Sequence, residues 1–288
     1  MKRVSAMAMM IALFATQAAW GQGMVWKVSA GDNILYLGGT IHVLSPSDYP
    51  LPDTYDRVYE QADIVVLETD LRQLQDPGAL GPLMAQLMYT DGRTLKQVLA
   101  PATYDRLSGF TDQRGMPLEL LKTMKPGLVM TTLTMAELQR LGLTGAGVDQ
   151  HFSDRANKDG LPLESLETVA EQIAFIANMG DGQEDEFISY SLDQMTSLST
   201  MMDALKSAWR KGDAQALNEL VLNELESEFP ETYHVLIASR NLKWRDQVGA
   251  FLQTAETELV LVGAAHLVGE LGLPSLLLDQ GYQVEREY

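Results

Sequence analysis

Gly263-Ala264-Ala265-His266-Leu267, at the end of the apolar run Leu259–Val262, decides the fold when set beside Gly39-Thr40-Ile41-His42-Val43, which follows the run Ile34–Leu37. Short aliphatic runs of this kind read as strands buried on both faces. In each copy a glycine permits a tight turn and close backbone approach, and a histidine follows three residues later. A third run, Ile64–Leu67, ends in Glu68. In open α/β sheets, ligands bind in the crevice at the carboxyl ends of the strands. Parallel, adjacent strands would therefore bring His42, Glu68 and His266 together as a pseudo-symmetric site.

Working outward, Met24–Ser29 and Ile34–Leu37 read as a hairpin across Gly31-Asp32-Asn33. Pro46, Pro50 and Pro52 mark an irregular loop, and Asp53 reads as the cap of a helix running to about Gln61. Helix-period segments then dominate: Leu74–Met88, Thr94–Leu99, Pro101–Arg114, Leu118–Met124, Leu128–Leu141, Val148–Asn157, Thr168–Asn178, a long Glu184–Lys211, a short helix capped by Asp213, and Glu231–Gln253. Leu161–Leu166 reads as a strand inside this region, and Tyr282–Arg286 as the closing strand. The expected fold class is α/β: a central mixed sheet with strands from both ends of the chain and a large helical insertion, in a single domain over residues 22–288.

The chain has 288 residues, with 21 Lys plus Arg against 39 Asp plus Glu and a net charge of -18. So acidic a protein repels phosphate backbones, which excludes nucleic acid as the expected partner. Without cysteine it has no disulfide, thiolate metal site or lipoprotein anchor. Lys2 and Arg3, the apolar Met7–Phe14 and the small-x-small Ala19-Trp20-Gly21 read as a signal peptide over residues 1–21. The expected location is outside the cytoplasm, periplasmic or secreted. Glu258–Leu278 is apolar but holds His266, Glu270 and Pro274, so it reads as strand, turn and helix rather than a membrane span.

Two imidazoles and a carboxylate make a ligand set for zinc, with iron, manganese or cobalt also suited. Such a metal acidifies bound water and polarises a carbonyl. The same three residues also fit a structural reading, as hydrogen-bonded strand ends. Other chemistries lack their motifs: there is no His-Glu-x-x-His, Gly-x-Ser-x-Gly, phosphate loop or Gly-x-Gly-x-x-Gly. Asp181–Glu186 lacks EF-hand spacing. Asp149, before His151, reads as a helix cap, His234 as a partly buried surface residue, and the Met-rich helices as core.

At these residues the chain resembles the TraB/PrgY/GumN family, which includes the animal Tiki proteins. The marks fall in order: Gly39-x-x-His42, Val65-Val66-Leu67-Glu68, Gly147-Val148-Asp149, Leu166-Glu167-Thr168 with Glu171-Gln172, Arg240-Asn241 with Trp244, Val262-Gly263-x-x-His266-Leu267, and Gly281-Tyr282-x-Val284-Glu285. The resemblance implies an erythromycin-esterase/ChaN-like fold. For Tiki proteins it implies metal-dependent proteolysis of a secreted protein ligand. Bacterial members carry names linked to polysaccharide clusters and pheromone shutdown.

Carried onto this chain, the resemblance implies a metal-dependent hydrolase, a peptidase acting on an extracytoplasmic protein or peptide. Mn, Co or Zn would be held by His42, Glu68 and His266. Glu167, Arg240 and Asn241 would support the metal site or the transition state, with Arg240 on an oxyanion and Glu68 or Glu167 as base. The other class allowed is a non-catalytic binding protein of the cell envelope, linked to polysaccharide export or signalling, since an acidic surface and a helical insertion suit a basic or polymeric partner. Haem binding, known among ChaN relatives, lacks an axial cysteine here.

Overall fold

Val25–Ala30 (β1) and Asn33–Thr40 (β2) form an antiparallel hairpin through Gly31, whose φ of 63° suits the tight two-residue turn. The computed structural model describes residues 22–73 and 76–288, so the signal-peptide expectation lies outside the described residues. After the hairpin come Val43–Leu44 (β3), Ile64–Leu67 (β4), Gly145–Ala146 (β5), Leu163–Ser165 (β6), Glu258–Gly263 (β7) and Gln283–Arg286 (β8). Six strands form one mixed sheet in the order β6-β4-β7-β2-β1-β8, while β3 and β5 form a separate two-stranded ribbon. Strands β2, β7, β4 and β6 run parallel, and β1 is antiparallel to both β2 and β8. Both ends of the chain thus contribute to the sheet, with helices between, as the apolar runs predict.

Register carries the early inference into three dimensions. Thr40 at the end of β2 stands beside Gly263 at the end of β7, and Leu67 of β4 stands beside Leu261 of β7. The turns bearing His42, Glu68 and His266 therefore leave one edge of the sheet side by side. The middle strand is buried on both faces: Leu259, Val260, Leu261 and Val262 are all 1% exposed or less. Burying each such side chain stabilises by roughly 1.5–3 kcal/mol. Tyr55, Phe152, Trp209, Trp244 and Leu277 pack into the same core.

The helical insertion has a core of its own. Leu107, Leu121, Val129, Leu133, Ile188 and Leu192 gather among the helices Pro101–Asp112, Pro126–Arg140 and Glu184–Gln194. Glu137 is buried there between Arg114 and Arg140.

Several elements differ from expectation. The long Glu184–Lys211 helix breaks into Glu184–Gln194 and Leu198–Lys211. At the break the hydroxyls of Thr196 and Ser197 donate to the carbonyls of Asp193 and Gln194, competing with the helical ladder. Leu118–Met124 shortens to the turn Leu118–Leu120, because the carbonyls of Lys122 and Thr123 accept from Leu95 and Tyr89 instead. Of the helix expected near Leu74, residues 74–75 lie outside the described residues, and a helix runs from Pro77 with the Asp76 carboxylate accepting from the Gly78 amide. Asp53 is the first helical residue rather than a cap, with Pro52 in the cap position. Leu161–Leu166 narrows to β6 at the sheet edge. Glu231–Gln253 is interrupted by a π-turn, His234–Ala238, and His234 is exposed. Among the described residues no helix is long and apolar enough to cross a membrane.

Candidate functional site

His42 sits just past β2, its turn held by the helix Val148–Asp159, whose first amide donates to the carbonyl of Ile41 at 3.1 Å. Gly147 makes this approach possible, since a Cβ there would lie 2.3 Å from the carbonyl of His42. Gly147 is the cap residue of that helix, so Asp149 is not its cap as expected. Its carboxylate instead meets His42 Nδ1 at 3.0 Å. The imidazole is thereby oriented with Nε2 facing the pocket, and its side chain is 61% exposed. Desolvation alone would lower the His42 pKa, but the charge and hydrogen bond of Asp149, helped by Glu68, raise it to about 9.

Glu68 is held from three directions. Its Oε1 accepts from the Gly263 amide at 2.6 Å, and Oε2 accepts from Arg240 Nη2 at 2.6 Å and Gln172 Nε2 at 3.4 Å. The position a Gly263 Cβ would take is 3.2 Å from Glu68 Oε1 and 3.6 Å from His42 Nε2, so any larger residue would intrude between them. Burial opposes ionisation of Glu68, but positive charge nearby, from His266 in the acid range where that ring is protonated and from Arg240 and His42, together with the Gly263 amide, brings its pKa down to about 2.

His266 is 4% exposed. Its Nδ1 meets Asn241 Oδ1 at 2.7 Å, and the Asn241 amide nitrogen donates to the carbonyls of Leu271 and His266 at 2.7 and 3.2 Å. That pair of donations sets the Asn241 amide orientation, so Nδ1 carries the proton and Nε2 keeps its lone pair. Arg240 Nη1 donates to this Nε2 at 3.1 Å. Burial above all, then the Arg240 charge, lowers the His266 pKa to about 4. The ring is neutral at physiological pH.

Arg240 ties the site together. Its Nε and Nη2 donate to the two oxygens of Glu167 at 2.9 Å each, Nη2 also reaches Glu68, and Nη1 serves the carbonyl of Leu236 besides His266. The guanidinium lies over Trp244, 4.5 Å from the ring centroid. The π-turn just before it adds a residue to the helical repeat and so helps set which way Arg240 and Asn241 project. All five guanidinium N–H groups are used. In this arrangement none is left for an oxyanion. Glu167 is fully buried, with both oxygens on Arg240 and its pKa raised by that burial, so it stands behind the site rather than in it. Asn241, also fully buried, positions His266.

A metal requires ligand lone pairs converging on one point. His42 and His266 are both oriented through Nδ1 in the manner of ligating histidines. His266 Nε2, however, has one lone pair and spends it on Arg240, and Glu68 Oε1 lies 4.0 Å from that nitrogen. Among the described residues no group of three His, Cys, Asp or Glu is gathered to hold an ion. As arranged, the three residues do not fit a metal, because a guanidinium stands where the cation would.

Two cavities meet at this wall. Thr40, His42 and Glu68 line both a mixed one of about 240 Å³, shared with Thr69, Asp149 and Gln172 and with Leu67, Leu71 and Leu261, and a more apolar one of about 360 Å³, shared with Met135, Leu138, Met202 and Leu205. Sequence reasoning gave no role to Thr40, Thr69 or Gln172, although Thr40 lies inside the first Gly-x-x-His and Gln172 within one of the family marks. It read Asp149 as a cap; the clue to its other role was Gly147, which only makes sense against a close backbone neighbour.

Fold and site define an α/β protein with a histidine–carboxylate–arginine pocket at the carboxyl ends of its parallel strands. The TraB/PrgY/gumN family model matches residues 24–286, and the chain belongs to that family. It is 26% identical over 248 residues to the "Uncharacterized protein YbaP" of Escherichia coli (strain K12), covering 86% of this chain and 89% of that protein. The protein of the same name from Shigella flexneri gives the same figures. No solved structure matches.

Proposed function

We propose that the chain is an exported hydrolase acting on an extracytoplasmic protein or peptide, with His42 and Glu68 as its reacting groups and an erythromycin-esterase/ChaN-like sheet as its frame. The observation that carries this reading is the exposed His42 imidazole, backed by Asp149 on Nδ1 and facing Glu68 across Gly263. A histidine oriented by one carboxylate and opposed by another is equipped for proton transfer in both directions.

With a pKa of about 9, His42 is an imidazolium at neutral pH, and Glu68 is a carboxylate. A substrate carbonyl placed against His42 Nε2 receives its hydrogen bond and is polarised. Glu68 orients a water and takes its proton as the oxygen–carbon bond forms. Substrate covering Glu68 excludes solvent and raises its basicity. The carbon–nitrogen bond then breaks as His42 protonates the leaving nitrogen, and Glu68 returns its proton to His42. Arg240 holds Glu68 in place throughout, with Glu167 fixing Arg240.

The test is a mass-spectrometric scan of a peptide library incubated with residues 22–288, beside His42→Ala and Glu68→Gln. Cleavage by the parent and at least about a hundredfold less by each variant is expected for loss of an acid–base group. Parent protein that cleaves nothing, yet retains envelope partners after His42→Ala, would move the assignment to a non-catalytic binding protein.

A further inference from the structure

Three helices leave apolar side chains uncovered around one cavity. Met135 and Leu138 lie three apart on the helix Pro126–Arg140, Met202 and Leu205 three apart on Leu198–Lys211, and Leu217 and Val221 four apart on Ala214–Val221. Each pair therefore shares a helix face. All six line the cavity of about 360 Å³. Leu138 and Leu217 are buried, but Met202, Leu205 and Val221 are only half-buried and Met135 is 40% exposed.

The same cavity reaches the candidate site. His42, Glu68, Arg240 and His266 line it too, and so do Gly263, Ala264 and Ala265, which have no side chain longer than a methyl to fill it. One continuous space thus holds the reacting groups and the apolar lining, so its occupant is what His42 and Glu68 act on. Pockets of about 300–1,000 Å³ hold small ligands, and this one is at the small end, so it admits side chains and not a whole helix. The six residues of the apolar lining offer no charge to pair with, and a charged side chain buried against them would be costly. Met135 and Met202 are flexible thioethers, which adapt to apolar groups of different shape.

We propose that this cavity is the specificity pocket of the site, taking a large apolar side chain (leucine, methionine or phenylalanine) from a residue beside the bond that is cut. Cleavage at such residues rests on the hydrolase reading above; seating of the side chain does not depend on turnover.

The test is an NMR titration of the purified protein labelled at its methionine methyl groups, with N-acetyl-L-leucinamide and with N-acetylglycinamide. The Met135 and Met202 resonances are assigned by their loss in Met135→Leu and Met202→Leu. The leucine amide should shift both and bind at least about tenfold tighter than the glycine amide, as burial of its side chain requires. Met135→Lys should weaken it by a similar factor, and Met135→Leu should retain it, which separates a lost apolar wall from a lost fold. Equal binding of the two amides, binding of neither, or shifts confined to other methionines overturns the proposal. So does N-octanoylglycinamide shifting these two methyls where the leucine amide does not, which would make the space an acyl-chain cavity. Selective binding of the leucine amide with no peptide cleaved supports the pocket and removes the hydrolase reading. Peptide cleavage indifferent to the flanking side chains overturns the pocket and leaves the hydrolase.

Discussion

Arg240 Nη1 donates to His266 Nε2 at 3.1 Å, so the one lone pair this imidazole presents to the pocket is met by a guanidinium. A divalent ion cannot share that lone pair, and it would also face a fixed positive charge. Two unit charges about 4 Å apart interact by about 4 kcal/mol at an effective dielectric of about 20. Replacing Arg240 by Gln should therefore raise affinity for manganese, cobalt or zinc at least about tenfold. Metal content after dialysis, measured beside His42→Ala/His266→Ala, checks this. Stoichiometric metal in the parent protein, bound as tightly as in Arg240→Gln, would show that Arg240 yields its place without penalty.

His42 should titrate near 9 rather than at the ordinary imidazole value of 6.5, because Asp149 stabilises the imidazolium. Stability drawn from this pair is fully present below about 6.5 and is lost as pH rises through about 9. Asp149→Asn should return the midpoint toward 6.5, followed by the imidazole resonances in a proton NMR titration. An unchanged midpoint in the variant would assign the shift to another group.

Glu167 and Arg240 form a buried pair, with side chains 0% and 10% exposed. Breaking such a pair leaves an uncompensated charge and destabilises by about 3–5 kcal/mol. Glu167→Ala should lie near the low end of that range, since Glu68 still contacts Arg240. Urea denaturation gives the number. A loss within experimental scatter of zero would mean Glu68 alone neutralises the guanidinium.

In the helical insertion, hydrogen bonds from Arg140 and Arg114 outweigh desolvation and lower the Glu137 pKa from 4.5 to about 2. The folded state thus holds its proton less tightly than the unfolded state. The resulting stability is present above about 4.5 and disappears as pH falls toward 2. Glu137→Gln should be less stable than the parent at pH 7, and the gap should close on acidification. A gap that persists at pH 2 would point to packing instead.

Much of this architecture was legible from residue order. Apolar runs ending in Gly-x-x-His or Glu locate β2, β4 and β7, and strand-end logic brings their termini together. What stayed hidden were relationships that only three-dimensional neighbours create. The break at Thr196 and Ser197 depends on hydroxyls turning back on the backbone, in a stretch whose apolar period suggests no interruption. Asp149 stands at a position where helix capping is the commonplace reading, and only the packing of Gly147 on His42 redirects it. Arg240 reads as an oxyanion donor until its five N–H groups are counted against Glu167, Glu68, His266 and Leu236.

Strand β7 lies between β4 and β2, yet it begins only at Glu258. Until that segment is available, β2 and β4 have no partner in common, and the hairpin and the β4–β6 pair are separate fragments with raw edges. Closing the sheet means joining positions some two hundred residues apart, a slow step for any chain. The first half of the chain therefore holds no finished sheet until a segment near residue 260 is in place, and the site, whose walls are the ends of β2, β4 and β7, can exist only after that closure.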